Sequence, residues 1–359
     1  MLNPDFWNGK RVFVTGHTGF KGSWLCLWLN QLGAKVTGYA LPPPSDPSLF
    51  DMARIAEVVD SHIGDVTHLH NLEVALAAAR PEIVIHMAAQ SLVRYSYDQP
   101  VETFSTNVLG TVHLLDALRR VPSVRAVVVV TSDKCYYNEE WVWGYREDSR
   151  LGGHDPYSAS KACAELVVAT YQNSFFDPKG NPGAAAIGSA RAGNVIGGGD
   201  WALDRLVPDI LRSLLKDEPT LIRNPQATRP WQHVLEPLHG YLMLAERLHA
   251  DAHPFASGWN FGPPEESERT VGWIIERLYD LWGVGFEWKH DPHPGPPEST
   301  FLKLDASKAR AHLGWRPKLD LDTTLAWIVD WTRRYQNGAD MRAVTLQDIE
   351  RFMAIQSPK

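Results

Sequence analysis

The first half of the chain alternates short apolar runs with longer stretches in which apolar residues recur every three or four positions. The short runs are Arg11–Thr15, Lys35–Tyr39, Val58–Ser61, Ile83–His86, Val127–Ser132 and Ala184–Ala190. They are rich in Val and Ile and do not alternate with polar residues, as expected of strands buried on both faces. Helical patterns near residues 20–32, 68–79, 100–121 and 156–175 lie between them. Strands separated by helices predict an α/β fold with a doubly wound parallel sheet.

From about residue 190 the rhythm breaks into Gly- and Pro-rich loops, RAGNVIGGGDW, RNPQATRPWQ and HDPHPGPPEST, with short helical stretches between them. These predict a smaller, loop-rich C-terminal lobe. A chain of 359 residues exceeds one compact domain, so a cleft between two lobes is expected. The lobes interleave: residues 1–187 and 232–262 form the main domain, and residues 188–231 and 263–359 the second lobe.

Composition narrows the function classes. With 44% hydrophobic and 21% charged residues the chain is globular and shows no disorder signature. Its net charge of −7 argues against a nucleic-acid partner, since phosphate backbones are bound by basic faces. The start, MLNPDFWNGKRVFVTG, lacks a basic segment followed by an apolar stretch, and no apolar run reaches spanning length, which predicts a cytoplasmic protein without a membrane partner. Cys26, Cys135 and Cys163 are scattered and read as free thiols of a reducing compartment. Among the fourteen histidines, His290 and His293 in HDPHP are the best metal candidates, but they lack further ligands nearby, so no metal is expected.

Chemistry enters with TGHTGFKG, directly after the first strand and opening a helix. Gly16, Gly19 and Gly22 allow a tight turn and a close backbone approach, and the helix N-terminus offers N–H groups to a pyrophosphate. This is a dinucleotide cradle, with Thr18, Phe20 and Lys21 in the same loop. A second signal is PYSASK, which sets Tyr157 and Lys161 on one helix face, where the ammonium can lower the phenol's pKa and hold a ribose of the dinucleotide. A parallel sheet places ligands at the carboxyl ends of its strands, so Ser132, at the end of AVVVVTS, shares that cleft.

The Gly-x-x-Gly-x-x-Gly spacing together with Tyr157 and Lys161 resembles the extended short-chain dehydrogenase/reductase superfamily, whose members modify sugar nucleotides on a Rossmann fold. The resemblance implies NAD as cofactor, and it implies roles. Asp65 resembles the residue that binds adenine. His86 to Val93, with Ala88 and Ala89, resembles the segment under the nicotinamide, and Asn107 the Asn that organises the site. Ser132 resembles the residue that hydrogen-bonds the reacting hydroxyl. The second strand ends at Gly38-Tyr39 without the acidic residue that takes the ribose hydroxyls, and Asp46 is a poor substitute, so NAD over NADP rests on the resemblance.

Asp133 and Lys134 follow Ser132 directly. An Asp-Lys pair here resembles CDP-glucose 4,6-dehydratases, whereas most 4,6-dehydratases carry Asp-Glu. The resemblance implies that Asp133 protonates the departing carbon 6 hydroxyl and Lys134 removes the carbon 5 proton, or stabilises the enolate instead. The implied substrate is CDP-glucose or a related nucleotide sugar, bound by Ser91, Asn194, Arg205, Arg229, Trp231 and His233. Other NDP-hexose dehydratases and 4-epimerases remain alternatives, the epimerases having no use for Asp133 and Lys134. Helices at 100–121 and 156–175 resemble those that build a homodimer, with a homotetramer as the further possibility.

Overall fold

The computed structural model describes residues 2–177, 181, 183–285, 288–291 and 301–356. Seven strands form one sheet: β1 Arg11–Thr15, β2 Lys35–Ala40, β3 Asp60–Ile63, β4 Ile83–His86, β5 Ala126–Val130, β6 Ala186–Arg191 and β7 Gly258–Asn260. Their order is β7-β6-β5-β4-β1-β2-β3, and every pairing is parallel. This is the doubly wound arrangement, and its strand order reverses between β1 and β4, where a ligand crevice opens beyond the strand ends.

Successive strand residues point to opposite faces. Val12, Val14, Ile83, Ile85 and Val128 enter one core, while Phe13, Val84, Val127 and Val129 enter the other. Both faces are covered, hence the unalternating apolar pattern. Helices α1 Phe20–Gln31, α2 Leu69–Ala79, α3 Gly110–Leu118 and α4 Pro156–Phe175 supply the cover expected of them. Helix α4 starts at Pro156 because Asp155 caps it, its carboxylate accepting from the Ser158 N–H at 2.8 Å.

Three expectations need adjustment. Strand β3 begins two residues late, since Val59 is buried in the core before the strand, and β3 itself is a largely exposed edge. The 100–121 helix is broken into Pro100–Phe104, a π turn at Ser105–Leu109, and α3. The C-terminal part is also more helical than its loops suggest. It carries α5 Leu206–Lys216, α6 Leu235–Ala250, α7 Val271–Trp282, α8 Leu321–Gln336 and α9 Met341–Ala354. Asp320 and Asp340 cap the last two. Trp331 of α8 and Phe352 of α9 join Trp24 and Trp28 of α1 in the main core, whereas α5, α7 and the other face of α8 build a core of their own. No helix among the described residues is long and apolar enough to cross a membrane, and the three cysteines are free.

Burial lowers His17 to about 4 and His86, His233 and His239 to about 3. It raises Glu236 to about 7 and Asp348 to about 6. As pH falls below 6.5, the unfolded chain binds histidine protons that the folded chain refuses, so these histidines cost stability. The two carboxyls act oppositely, since the folded chain keeps protons that the unfolded chain releases. Near pH 5 four histidines outweigh two carboxyls, and unfolding should take up about two protons net. Urea midpoints should therefore fall from pH 6.5 towards pH 4; a flat or rising profile would show that these imidazoles are charged in the folded protein.

Candidate active site

The crevice begins at Gly16, the first residue past β1. Its φ is +79°, and a Cβ there would stand 2.7 Å from the Ala88 nitrogen, so only glycine lets β1 and the segment after β4 approach this closely. A Cβ on Gly22 would meet the Gly16 carbonyl. Gly19 is the N-cap of α1 and offers no side chain to the first-turn N–H groups. Those donors, from Phe20, Lys21 and Gly22, remain for an anion. Thr18 donates to the Leu41 carbonyl at 2.8 Å and ties the loop to the end of β2.

The strand reversal is bridged by Thr15, whose hydroxyl accepts from the N–H groups of Met87 and Ala88 at 3.1 and 3.2 Å. The Thr111 hydroxyl donates to the Asn107 carbonyl at 2.7 Å. It must then accept from His86 Nε2, leaving His86 Nδ1 to accept from Thr15 at 2.7 Å. One neutral tautomer satisfies every partner. Asn107 sits in the π turn. It brackets the Gln90 backbone at 2.9 and 3.0 Å and donates to Ser160 at 2.8 Å, joining the segment of Ala88 and Ala89 to α4.

Where the acidic ribose ligand would stand, Tyr39 is buried, stacked on Phe13, and donates to the Asp65 carbonyl at 3.3 Å. The Asp65 carboxylate accepts from the Thr67 N–H at 2.8 Å. The His17 ring lies across Gly38 and hydrogen-bonds Ser61 at 2.7 Å. Asp46 is exposed.

Ser132, Asp133 and Lys134 leave the end of β5, the last two in a single 3-10 turn; Asp133 is buried and Lys134 half-buried. The Ser132 hydroxyl donates to Asp133 at 3.0 Å and accepts from the Lys134 N–H at 3.2 Å. It also lies within hydrogen-bonding reach of Tyr157. Burial pushes the Tyr157 phenol up to about 12, against the pull of Ser132. Lys161 donates to the Val130 carbonyl at 3.4 Å. Burial, and then the charge of Lys21, lower it to about 7. Burial and the charge of Arg205 lower Lys21 to about 8. Lys21, flanked by the like charges of Lys161 and Arg205 at a glycine cradle and an uncapped helix end, makes a site suited to an anionic dinucleotide and a diphosphate.

Arg205 reaches in from the lobe. It donates to Ser91 at 2.8 Å and to the buried Asp200 at 3.0 Å. Asn194 lies on the loop after β6 with φ +41°. Arg229 is buried in the short strand Thr228–Pro230, which pairs antiparallel with Glu268–Thr270. Two expected substrate ligands are not brought to the crevice. The His233 ring is 1% exposed and packs edge-on against Trp24 and Trp327, with Nδ1 accepting from the Leu235 N–H. Trp231 is buried in the lobe's own core, and its indole donates to the Arg269 carbonyl at 3.0 Å. Both are packing residues. Among the described residues no group of three or more His, Cys, Asp or Glu is placed to hold a metal ion. His290 ends the strand Trp288–His290, and His293 lies outside the described residues.

The profile of the GDP-mannose 4,6 dehydratase family matches residues 13–327. The chain belongs to this family. It is 53% identical over 355 residues to the CDP-glucose 4,6-dehydratase of Salmonella typhimurium, with 99% of each chain covered. Among solved structures, UDP-glucose 4-epimerase of Thermotoga maritima with UDP-glucose superposes with a TM-score of 0.79 at 21% identity, covering 90% of this chain and 99% of that one. MoeE5 in complex with UDP-glucuronic acid and NAD gives 0.74 at 26% identity, covering 91% and 100%.

One part of this dehydratase-family site escaped the motifs. Glu165 lies one helical turn beyond Lys161 and is buried with Arg191 in an ion pair of 2.7 Å. It also accepts from Ser189 at 2.6 Å and from Thr131. Arg191 goes on to Tyr136 at 2.6 Å and the Glu147 carbonyl at 3.1 Å. Burial alone would raise the Glu165 carboxyl, but Arg191 overrules it and holds it below its ordinary value. The i, i+4 spacing from Lys161 was the available signal. Glu165→Gln leaves a buried guanidinium without its countercharge, and should cost about 3–5 kcal/mol of stability. Urea unfolding checks this, and a loss under about 1 kcal/mol would place the pair in contact with water.

Proposed function

We propose that this chain is a CDP-glucose 4,6-dehydratase, converting CDP-D-glucose to CDP-4-keto-6-deoxy-D-glucose and water with NAD as its bound cofactor. The observation that carries the reading is the 53% identity with the Salmonella typhimurium enzyme across essentially the whole of both chains. The site geometry supports it, because an acid and an amine follow Ser132 at the strand end that also meets Tyr157 and Lys161.

Residues 1–187 and 232–262 are the NAD-binding domain, and residues 188–231 and 263–359 the nucleotide-sugar lobe. Gly16, Thr18, Gly19, Phe20, Lys21 and Gly22 hold the pyrophosphate, Asp65 the adenine, and Ala88, Ala89, Asn107, Tyr157 and Lys161 the nicotinamide half. These residues would hold NAD, which would supply the hydride acceptor for sugar carbon 4 and the hydride donor for carbon 6. Tyr157, within hydrogen-bonding reach of Ser132, takes the proton of the 4-hydroxyl once a protonated Lys161 offsets the burial that raises the phenol. The resulting ketone acidifies carbon 5. Lys134 removes that proton, or steadies the enolate while another group takes it, and Asp133 protonates the departing 6-hydroxyl. Ser91, Asn194, Arg205 and Arg229 hold the nucleotide sugar; guanidinium forks match diphosphate oxygens.

Further parts of the reading are a cytoplasmic location, a product that feeds deoxysugars of surface polysaccharide such as lipopolysaccharide O antigen, and a homodimer or a pair of such dimers. Exposed Val101, Leu109 and Leu166, on the segments 100–109 and α4, favour the dimer.

Substrate deuterated at carbon 4 provides the test: deuterium should appear on carbon 6 of the product, and label kept at carbon 4 would mean epimerisation. Tyr157→Phe should slow turnover about 10²–10⁴-fold with cofactor binding retained, and normal turnover would remove Tyr157 from the chemistry. Asp133→Asn should slow elimination selectively; an unchanged elimination rate would take the acid role from Asp133.

A further inference from the structure

Asp133 is 2% exposed, and its Oδ2 is buried without a hydrogen-bond partner. What stands against that oxygen is the backbone of Gly193, two residues past the end of β6. A Cβ built on Gly193 would lie 1.9 Å from Asp133 Oδ2, 2.3 Å from Cγ and 3.0 Å from Oδ1, and these are its three nearest neighbours. The carboxyl group occupies the space that a side chain at position 193 would take. The backbone does not require glycine here, because Gly193 is not among the positive-φ glycines. Space alone forbids a side chain.

Neither party is free to retreat. The Gln232 side chain donates to the carbonyls of Gly193 and Phe261 at 3.2 and 2.9 Å, and its backbone N–H donates to Asn194 at 3.3 Å. The Asp133 N–H donates to Ala192 at 3.4 Å, and its Oδ1 accepts from Ser132 at 3.0 Å. The wall is thus pinned by Gln232 and the carboxyl by the neighbouring Ser132. Close packing of this kind transmits a single added methyl as displacement.

We propose that Gly193 is a positioning residue whose missing side chain seats the Asp133 carboxyl at the end of β5, with Gln232 holding that seat in place. Any side chain at 193 drives Asp133 out while leaving Ser132, Tyr157 and Lys161 where they are. Oxidation at carbon 4 and loss of the 6-hydroxyl then come apart. The second statement rests on the dehydratase reading; the steric one does not.

Four holoproteins test both: wild type, Gly193→Ala, Asp133→Ala and the double variant. Gly193→Ala should lower the thermal midpoint by a few degrees. It should cost nothing further in the Asp133→Ala background, where the atoms it meets are gone. With CDP-glucose, Gly193→Ala should still develop the near-ultraviolet absorbance of reduced nicotinamide, while dehydrated product falls about 100-fold. An equal thermal loss in both backgrounds would overturn the proposal, as would wild-type turnover or loss of both steps together in Gly193→Ala. If Gly193→Ala does not fold, the double variant should, and its failure to do so also overturns the proposal. A thermal cycle that behaves as expected beside a wild type that makes no dehydrated product would sink the dehydratase reading and leave the seat standing.

Discussion

The buried pair of Glu165 and Arg191 joins the parts of the crevice that must keep register. Glu165 rides on α4 one turn beyond Lys161, Thr131 precedes Ser132, Ser189 and Arg191 end β6, and Tyr136 opens the loop after Lys134. A buried ion pair is weak evidence of net stability, because desolvation offsets much of the attraction. Its consequence here is geometric. Breaking it would free the helix that carries the phenol and amine from the strand ends that carry the serine and the acid.

That constraint has an electrostatic counterpart. Lys161 and Lys21 are lowered to about 7 and about 8, first by burial and then by neighbouring cations. Each bound phosphate charge would reverse part of that shift, so filling the cradle and charging Lys161 are coupled events. On the proposed reading the positive excess serves binding and catalysis together, because bound anions would hold protonated the ammonium that Tyr157 needs. Asp133, whose charge reaches Lys21, stands against the backbone of Gly193.

The parallel sheet was legible in the sequence because strands buried on two faces leave an unalternating signature, and the Tyr157–Lys161 spacing because a helix turn is local. Trp231 and His233 show where such reading fails. Their neighbourhood resembles a substrate loop, but nothing in RPWQHV tells which way a ring points, and both rings turned into cores. Gly193 was equally hidden, because its partner comes from another strand and the contact depends on sheet register. Asp320 and Asp340 cap α8 and α9, yet the return of α9 onto α1, where Phe352 meets Trp28 edge-on, is a tertiary event that no local pattern announces.

Oxidation and elimination are held to occur on one sugar in one crevice, with the carbon 5 proton lost to a protein group and replaced from solvent. Turnover of CDP-glucose in heavy water, read by mass and by the position of label, is the most direct measurement. Dehydration predicts a product lighter by one water and carrying one solvent deuterium at carbon 5. A product of unchanged mass, or one free of solvent deuterium, would contradict it.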